Sequence, residues 1–154
     1  MARRPAEDRV RRDRDRGYAA VMSHAPLPVT GQVTFLPTAD LDATDAFYGG
    51  LLGLPLVRDQ DVCRIYRASP GSGADNGGGY WGFCDRGYAV PEGVRVVLTL
   101  LVDDVEGAHR ELVARGAVPE GPPAHHERYA VTSFFVRDPN GYFVEFQRFD
   151  VPVA

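Results

Sequence analysis

The most reactive-looking group in the chain is Glu145, a lone carboxylate within the apolar and aromatic run YFVEFQRF. Desolvated there, it could serve as a general acid or base; paired with an arginine, it would be a structural anchor. In VCRIYRA, Arg64 and Tyr66 share one face of a strand while Cys63 and Ile65 share the other. The apolar pair is expected beneath a helix, which leaves Arg64 and Tyr66 facing a pocket. Arg64 could then hold an anionic group bidentately or neutralise Glu145. Cys63 and Cys84 have neither zinc spacing nor the number of a disulfide scaffold, so free thiols are expected. An inward Cys84 would be reactive beside a positive group and otherwise an inert small hydrophobe. His125 and His126 are adjacent, so in a strand they point to opposite faces; His24 and His109 are expected to meet solvent. No local Ser/His/Asp motif, Walker loop or dinucleotide fingerprint is present. SPGSGADNGGG lacks the Lys-Ser/Thr pair and the helix that cradle phosphate, and reads as a mobile rim over a pocket.

These side chains must be positioned by a chain of 154 residues, 44% apolar and 25% charged, which suits one globular domain with its own core. Its 17 basic residues are all arginine. Met1 to Gly17 carries seven Arg against four acids, and the rest ten Arg against seventeen acids, so a head near +3 precedes a body near −7. Residues 1–29 are read as a disordered Arg-rich extension, because they offer little apolar surface to offset ordering. The acidic body argues against a nucleic-acid binder. No apolar run reaches the ~18 residues of a membrane span, and no secretory core follows the arginines; a cytoplasmic protein is expected.

From residue 30 the elements recur in order. GQVTFLPT reads as a strand, DLDATDAFYGGLLGL as a helix capped by Asp40 or Asp42 and stopped at Gly53, and LPLVRD, VCRIYRA and YWGFCDR as three more strands. Then VRVVLTLLV reads as a strand, DDVEGAHRELVARG as a helix ending at Gly116, and YAVTSFFVRD and YFVEFQRF as strands, with a weak strand near Ala117 to Pro119. Asp40 falls on Asp104 with a shift of 64 residues, and DNGGGYWGF falls on DPNGYFVEF with a shift of 63. The order is that of a duplication, with modules at residues 30–90 and 91–154.

With the paired helices DLDATDAFYGGLLGL and VDDVEGAHRELVARGA and the ending RDPNGYFVEFQ, this tandem βαβββ arrangement resembles the vicinal oxygen chelate superfamily. That superfamily includes glyoxalase I, extradiol dioxygenases, and fosfomycin- and bleomycin-resistance proteins. The resemblance covers residues 30–149. It implies an α+β fold in which curved mixed sheets surround a central pocket with helices outside. Alternation then turns Phe143, Glu145 and Gln147 inward, with Tyr80, Gly82 and Cys84 at the equivalent places in the first module and Thr99 on the neighbouring strand.

Metal enzymes of the superfamily take ligands from the first and last strands of each module. Here Glu145 matches one such position, Gly82 occupies its counterpart, and Val97 and Val33 occupy the first-strand positions by gap-free counting. Only a one-residue bulge, which Pro37 could cause, would bring Gln32 inward. One glutamate and one conditional glutamine are too few for a protein-held ion, so no cofactor is expected; a divalent metal on Glu145 and Gln32 is the alternative. The expected function is binding of a small aromatic or amphipathic molecule between the modules of a homodimer, as in bleomycin-resistance proteins. The alternative is a metal-dependent lyase, isomerase or dioxygenase using Glu145.

Overall fold

A computed structural model describes residues 27–69, 78–85, 87, 93 and 95–151. The Arg-rich head with His24, and residues 70–77 of the glycine-rich stretch, lie outside the described residues. Two four-stranded mixed sheets are present. In the first, β1 (Gly31–Pro37), β2 (Leu56–Asp59), β3 (Cys63–Arg67) and β4 (Gly78–Cys84) run in the order β1-β4-β3-β2. In the second, β5 (Val97–Leu101), β6 (Ala124–His126), β7 (Val131–Arg137) and β8 (Phe143–Phe149) run in the order β5-β8-β7-β6. In both, the first strand is parallel to the last and the remaining neighbours are antiparallel. Two sheets of identical topology are the structural form of the sequence duplication.

Each first strand leads to a helix begun by an aspartate. Asp40 accepts a hydrogen bond from the Ala43 N–H and Asp104 from the Gly107 N–H, satisfying donors that the first helical turn leaves unpaired. In the second module, α2 (Val105–Ala114) is regular. In the first, α1 (Leu41–Asp45) passes into a π-helical segment, Ala46–Leu51. Gly53 and Gly116 follow the two helices with φ +72° and +96°, a left-handed conformation that glycine adopts without the steric penalty of a Cβ.

The helices cover one face of each sheet and bury alternate strand residues. Tyr48 stacks on Phe83 with centroids 4.3 Å apart and meets Trp81 edge-on. In the second module, Phe134 stacks on Phe146 at 5.0 Å, and His109 from α2 lies edge-on against Phe134. His109 is therefore half-buried against the core and not turned to solvent as expected. The weak strand expected at Ala117 to Pro119 is reduced to an isolated bridge from Pro119 to Val136, and pairing with β7 falls instead to Ala124–His126. Pro119 has no N–H to donate, which limits a ladder at that point.

A buried polar junction ties the modules together. The Thr38 hydroxyl donates to the Asn140 side chain, Tyr142 donates to the Pro37 carbonyl, and Tyr48 donates to Asp138. Burial raises the Asp138 carboxyl above its ordinary pKa, opposed by hydrogen bonds from Asn140, Tyr48 and the Tyr142 backbone. No helix among the described residues is long and apolar enough to cross a membrane.

Candidate functional site

The faces away from the helices remain open, and each carries a cavity lined within one module. The larger, about 410 Å³, lies on the second sheet and is lined by His126, Tyr129, Phe135, Glu145, Gln147 and Phe149, among others. Strand alternation explains this set. Val144 and Phe146 go under α2, so Phe143, Glu145 and Gln147 must face the other way. Thr99 stands opposite Glu145 in the parallel pair and donates to its carboxylate at 2.8 Å. Glu145 thus has a hydroxyl donor, and no arginine pairs with it among the described residues. Opposite Gln147, Ser133 is 2% exposed, and its Oγ has no hydrogen-bond partner among the described residues. Of the histidine pair, His126 lines the cavity, whereas His125 bonds Asp150 through Nδ1 at 2.8 Å.

The second cavity, about 300 Å³, lies on the first sheet and is lined by Val33, Val57, Arg58, Ile65, Arg67 and Tyr80. Two rows of paired residues cross this face: Arg67–Tyr80–Val33, and Arg58–Ile65–Gly82–Phe35. A Cβ on Gly82 would lie 2.5 Å from the Phe35 ring, so the absence of a side chain is what lets phenylalanine lie across the strand.

Several expected placements are corrected. Arg64 and Tyr66 turn to the helix side. Tyr66 is fully buried with its hydroxyl donating to Asp45 at 2.7 Å, and Arg64 donates to the Leu41 carbonyl and pairs with Asp42 and Asp59. Arg64 is therefore unavailable to Glu145. Burial, reinforced by the Asp45 hydrogen bond, raises the Tyr66 phenol above its ordinary value and keeps it a donor. Cys84 is no free thiol: it is buried and disulfide-bonded to Cys63, its direct partner across β3 and β4. The amphipathic character of tyrosine decided the parity. An aromatic body can enter the core when its hydroxyl finds an acceptor, and a guanidinium can leave at the helix margin.

Gln32 also faces away from the cavity. β1 and β4 pair without a shift, so Val33 lies opposite Tyr80, and the Gln32 amide reaches Thr34 on its own side. The four positions implied for a metal therefore hold Val33, Gly82, Val97 and Glu145, and the Phe35 ring occupies the space above Gly82. This set does not fit a protein-held divalent ion, which needs several oxygen, nitrogen or sulfur donors. No group of three or more His, Cys, Asp or Glu able to hold an ion occurs among the described residues. Arg58, Arg67, Tyr129, Phe135 and Phe149 were not legible as pocket residues from sequence. The pairing of Cys63 with an inward Cys84 is the one signal that would have reversed the β3 assignment.

This double βαβββ architecture is matched by a family model over residues 30–146, and the chain belongs to the Glyoxalase/Bleomycin resistance protein/Dioxygenase superfamily. Solved structures share the fold. A glyoxalase/bleomycin resistance protein/dioxygenase from Nocardioides has a TM-score of 0.65 at 21% identity, with 88% of this chain and 93% of that one covered. Lactoylglutathione lyase from Agrobacterium tumefaciens has a TM-score of 0.61 at 20% identity, with 80% and 96% covered. TioX from Micromonospora sp. ML1 has a TM-score of 0.61 at 20% identity, with 79% and 99% covered. No curated protein matches the chain.

Proposed function

We propose that the protein is a non-catalytic binder of a small aromatic or amphipathic molecule, and that it works without a metal as a homodimer. The observation that carries this reading is the state of the two sheet edges. β1 and β5 are edge strands, and the apolar residues on their cavity faces are exposed: Val33 42%, Phe35 55%, Val97 49% and Leu101 64%. Open edges bearing apolar side chains are normally covered, and a second copy would cover them while bringing the first-module cavity of one protomer against the second-module cavity of its partner. Each cavity by itself is a shallow half-site; together they would enclose a planar molecule between Phe35, Tyr80, Phe135 and Phe149. Family membership supports the class of ligand and the dimer, while the poor donor set at the four inherited positions supports a metal-independent pocket.

The test is a light-scattering mass with a thermal-shift panel of aromatic compounds on the full chain. The expected result is a dimer with a concentration-dependent rise in Tm for some planar compounds, weakened in Phe35→Ala. A monomer that no panel member stabilises would reject the reading. Stoichiometric Ni, Zn, Mn or Fe that is lost in Glu145→Ala would replace it with the metal-dependent lyase, isomerase or dioxygenase.

A further inference from the structure

The first-module cavity has a chemical character that its apolar lining does not explain. Arg58 and Arg67 both line it. Arg64, Arg115, Arg137 and Arg148 each pair with an acid, whereas Arg58 and Arg67, like Arg95, Arg110 and Arg128, have no acidic partner among the described residues; Arg58 and Arg67 alone of these line the cavity. The Arg67 guanidinium lies 5.8 Å from the centre of the Tyr80 ring, and its Nε is buried with no hydrogen-bond partner among the described residues. A buried guanidinium N–H left unmatched is costly and uncommon.

Arg58 reaches this face through a defect in the ladder. Leu56 pairs with Tyr66, but Arg58, not Val57, pairs with Ile65; the extra residue shifts the register between them. Without that bulge Val57 would stand opposite Ile65, and Arg58 would fall on the helix side. Bulges recur where a side chain must be re-aimed towards a site. The result is two unneutralised arginines beside Tyr80 and Phe35 on a body whose net charge is near −7.

We propose that this cavity is an oxyanion subsite: Arg67 and Arg58 hold a carboxylate, sulfonate or phosphate of the ligand, and its aromatic body lies on Tyr80 and Phe35. The proposal rests on the small-molecule reading above and narrows it to aromatic anions. Arginine forks suit planar oxyanions, and the Tyr80 face helps fix the Arg67 guanidinium in one plane.

The experiment is calorimetric titration of the full chain with 1-naphthoate and with neutral 1-naphthamide, at low and high salt. Naphthoate should bind about tenfold or more tightly than the amide, as expected of a charge-assisted contact, and the difference should shrink with salt. Arg67→Gln should bring naphthoate down to the affinity of the amide and leave the amide unchanged; Arg58→Gln should lose part of the preference. If Arg67→Gln does not fold, Arg58→Gln carries the test through its partial loss of preference, and Arg67→Lys, which keeps a long stem and the charge but not the planar fork, should weaken naphthoate and leave the amide unchanged. Equal binding of the two probes would overturn the subsite and leave the small-molecule reading intact. Failure of both probes to bind would also reject the subsite, and the broader thermal-shift panel would then judge the pocket separately. Loss of the dimer in Arg67→Gln, with no anion preference in the parent protein, would reassign Arg67 to an ion pair between protomers.

Discussion

The hydroxyl of Tyr48, in the first module, donates to the carboxylate of Asp138, in the second, across 2.9 Å, and both residues are buried. Asp138 also accepts from the backbone N–H groups of Asn140 and Tyr142, so one carboxylate shapes the β7–β8 turn and anchors the other module. Tyr48→Phe removes one donor while leaving the acceptor buried, which should cost about 1–3 kcal/mol in urea denaturation. An unchanged midpoint would show that the bond contributes nothing net to the junction.

The same carboxyl makes stability pH-dependent in a definite direction. Desolvation raises the Asp138 pKa in the folded state, so on raising the pH the unfolded chain releases this proton first. The contribution is favourable below the unfolded carboxylate value and is lost as pH rises through the folded one. Denaturation between about pH 3 and 6 should show Asp138→Asn with a less negative slope of stability against pH than the parent. An identical slope would remove Asp138 from the titration.

Gly82 and Phe35 form a pair in which one residue is defined by the other's lack of a side chain. Gly82→Ala should push the Phe35 ring aside at a cost of about 1–3 kcal/mol, by overpacking. Phe35→Ala should relieve much of that cost, so a double-mutant cycle should give a clear coupling energy. Strict additivity would mean that the ring moves freely out of the space above Gly82.

The Cys63–Cys84 bond closes a loop of 21 residues in sequence separation. Replacing both cysteines with serine should lower stability by about 3 kcal/mol if restriction of the unfolded chain dominates. A reducing agent should lower the Tm of the parent and leave that of the double variant unchanged. Equal Tm values with and without reductant in the parent would show that the bond is absent in solution.

The duplication, the two helix starts and the parity of β8 were legible because they rest on local rules; of Asp40 and Asp42, the structure selects Asp40 as the first cap. Asp40 and Asp104 are capping residues wherever they precede a helix, and alternation in YFVEFQRF leaves little choice of buried face. β3 was not legible in the same way. CRIYR has a polar or amphipathic residue at every second place, and both parities bury something apolar. Tyr66 entered the core because Asp45 lies within reach of its hydroxyl, and Asp45 is 21 residues away in sequence.

What the sequence determined by itself was the order of elements, the family they compose and the inward place of Glu145, since each follows from patterns a few residues long. What the tertiary structure decided was the chemistry of the first cavity. The bulge at Val57 selects Arg58, the disulfide pairs Cys63 with Cys84, and Phe35 fills the space over Gly82. Each of these depends on which residue of a neighbouring strand stands opposite. A change of one residue in register exchanges the faces of a strand, and no local pattern in β2 or β3 prevents that change.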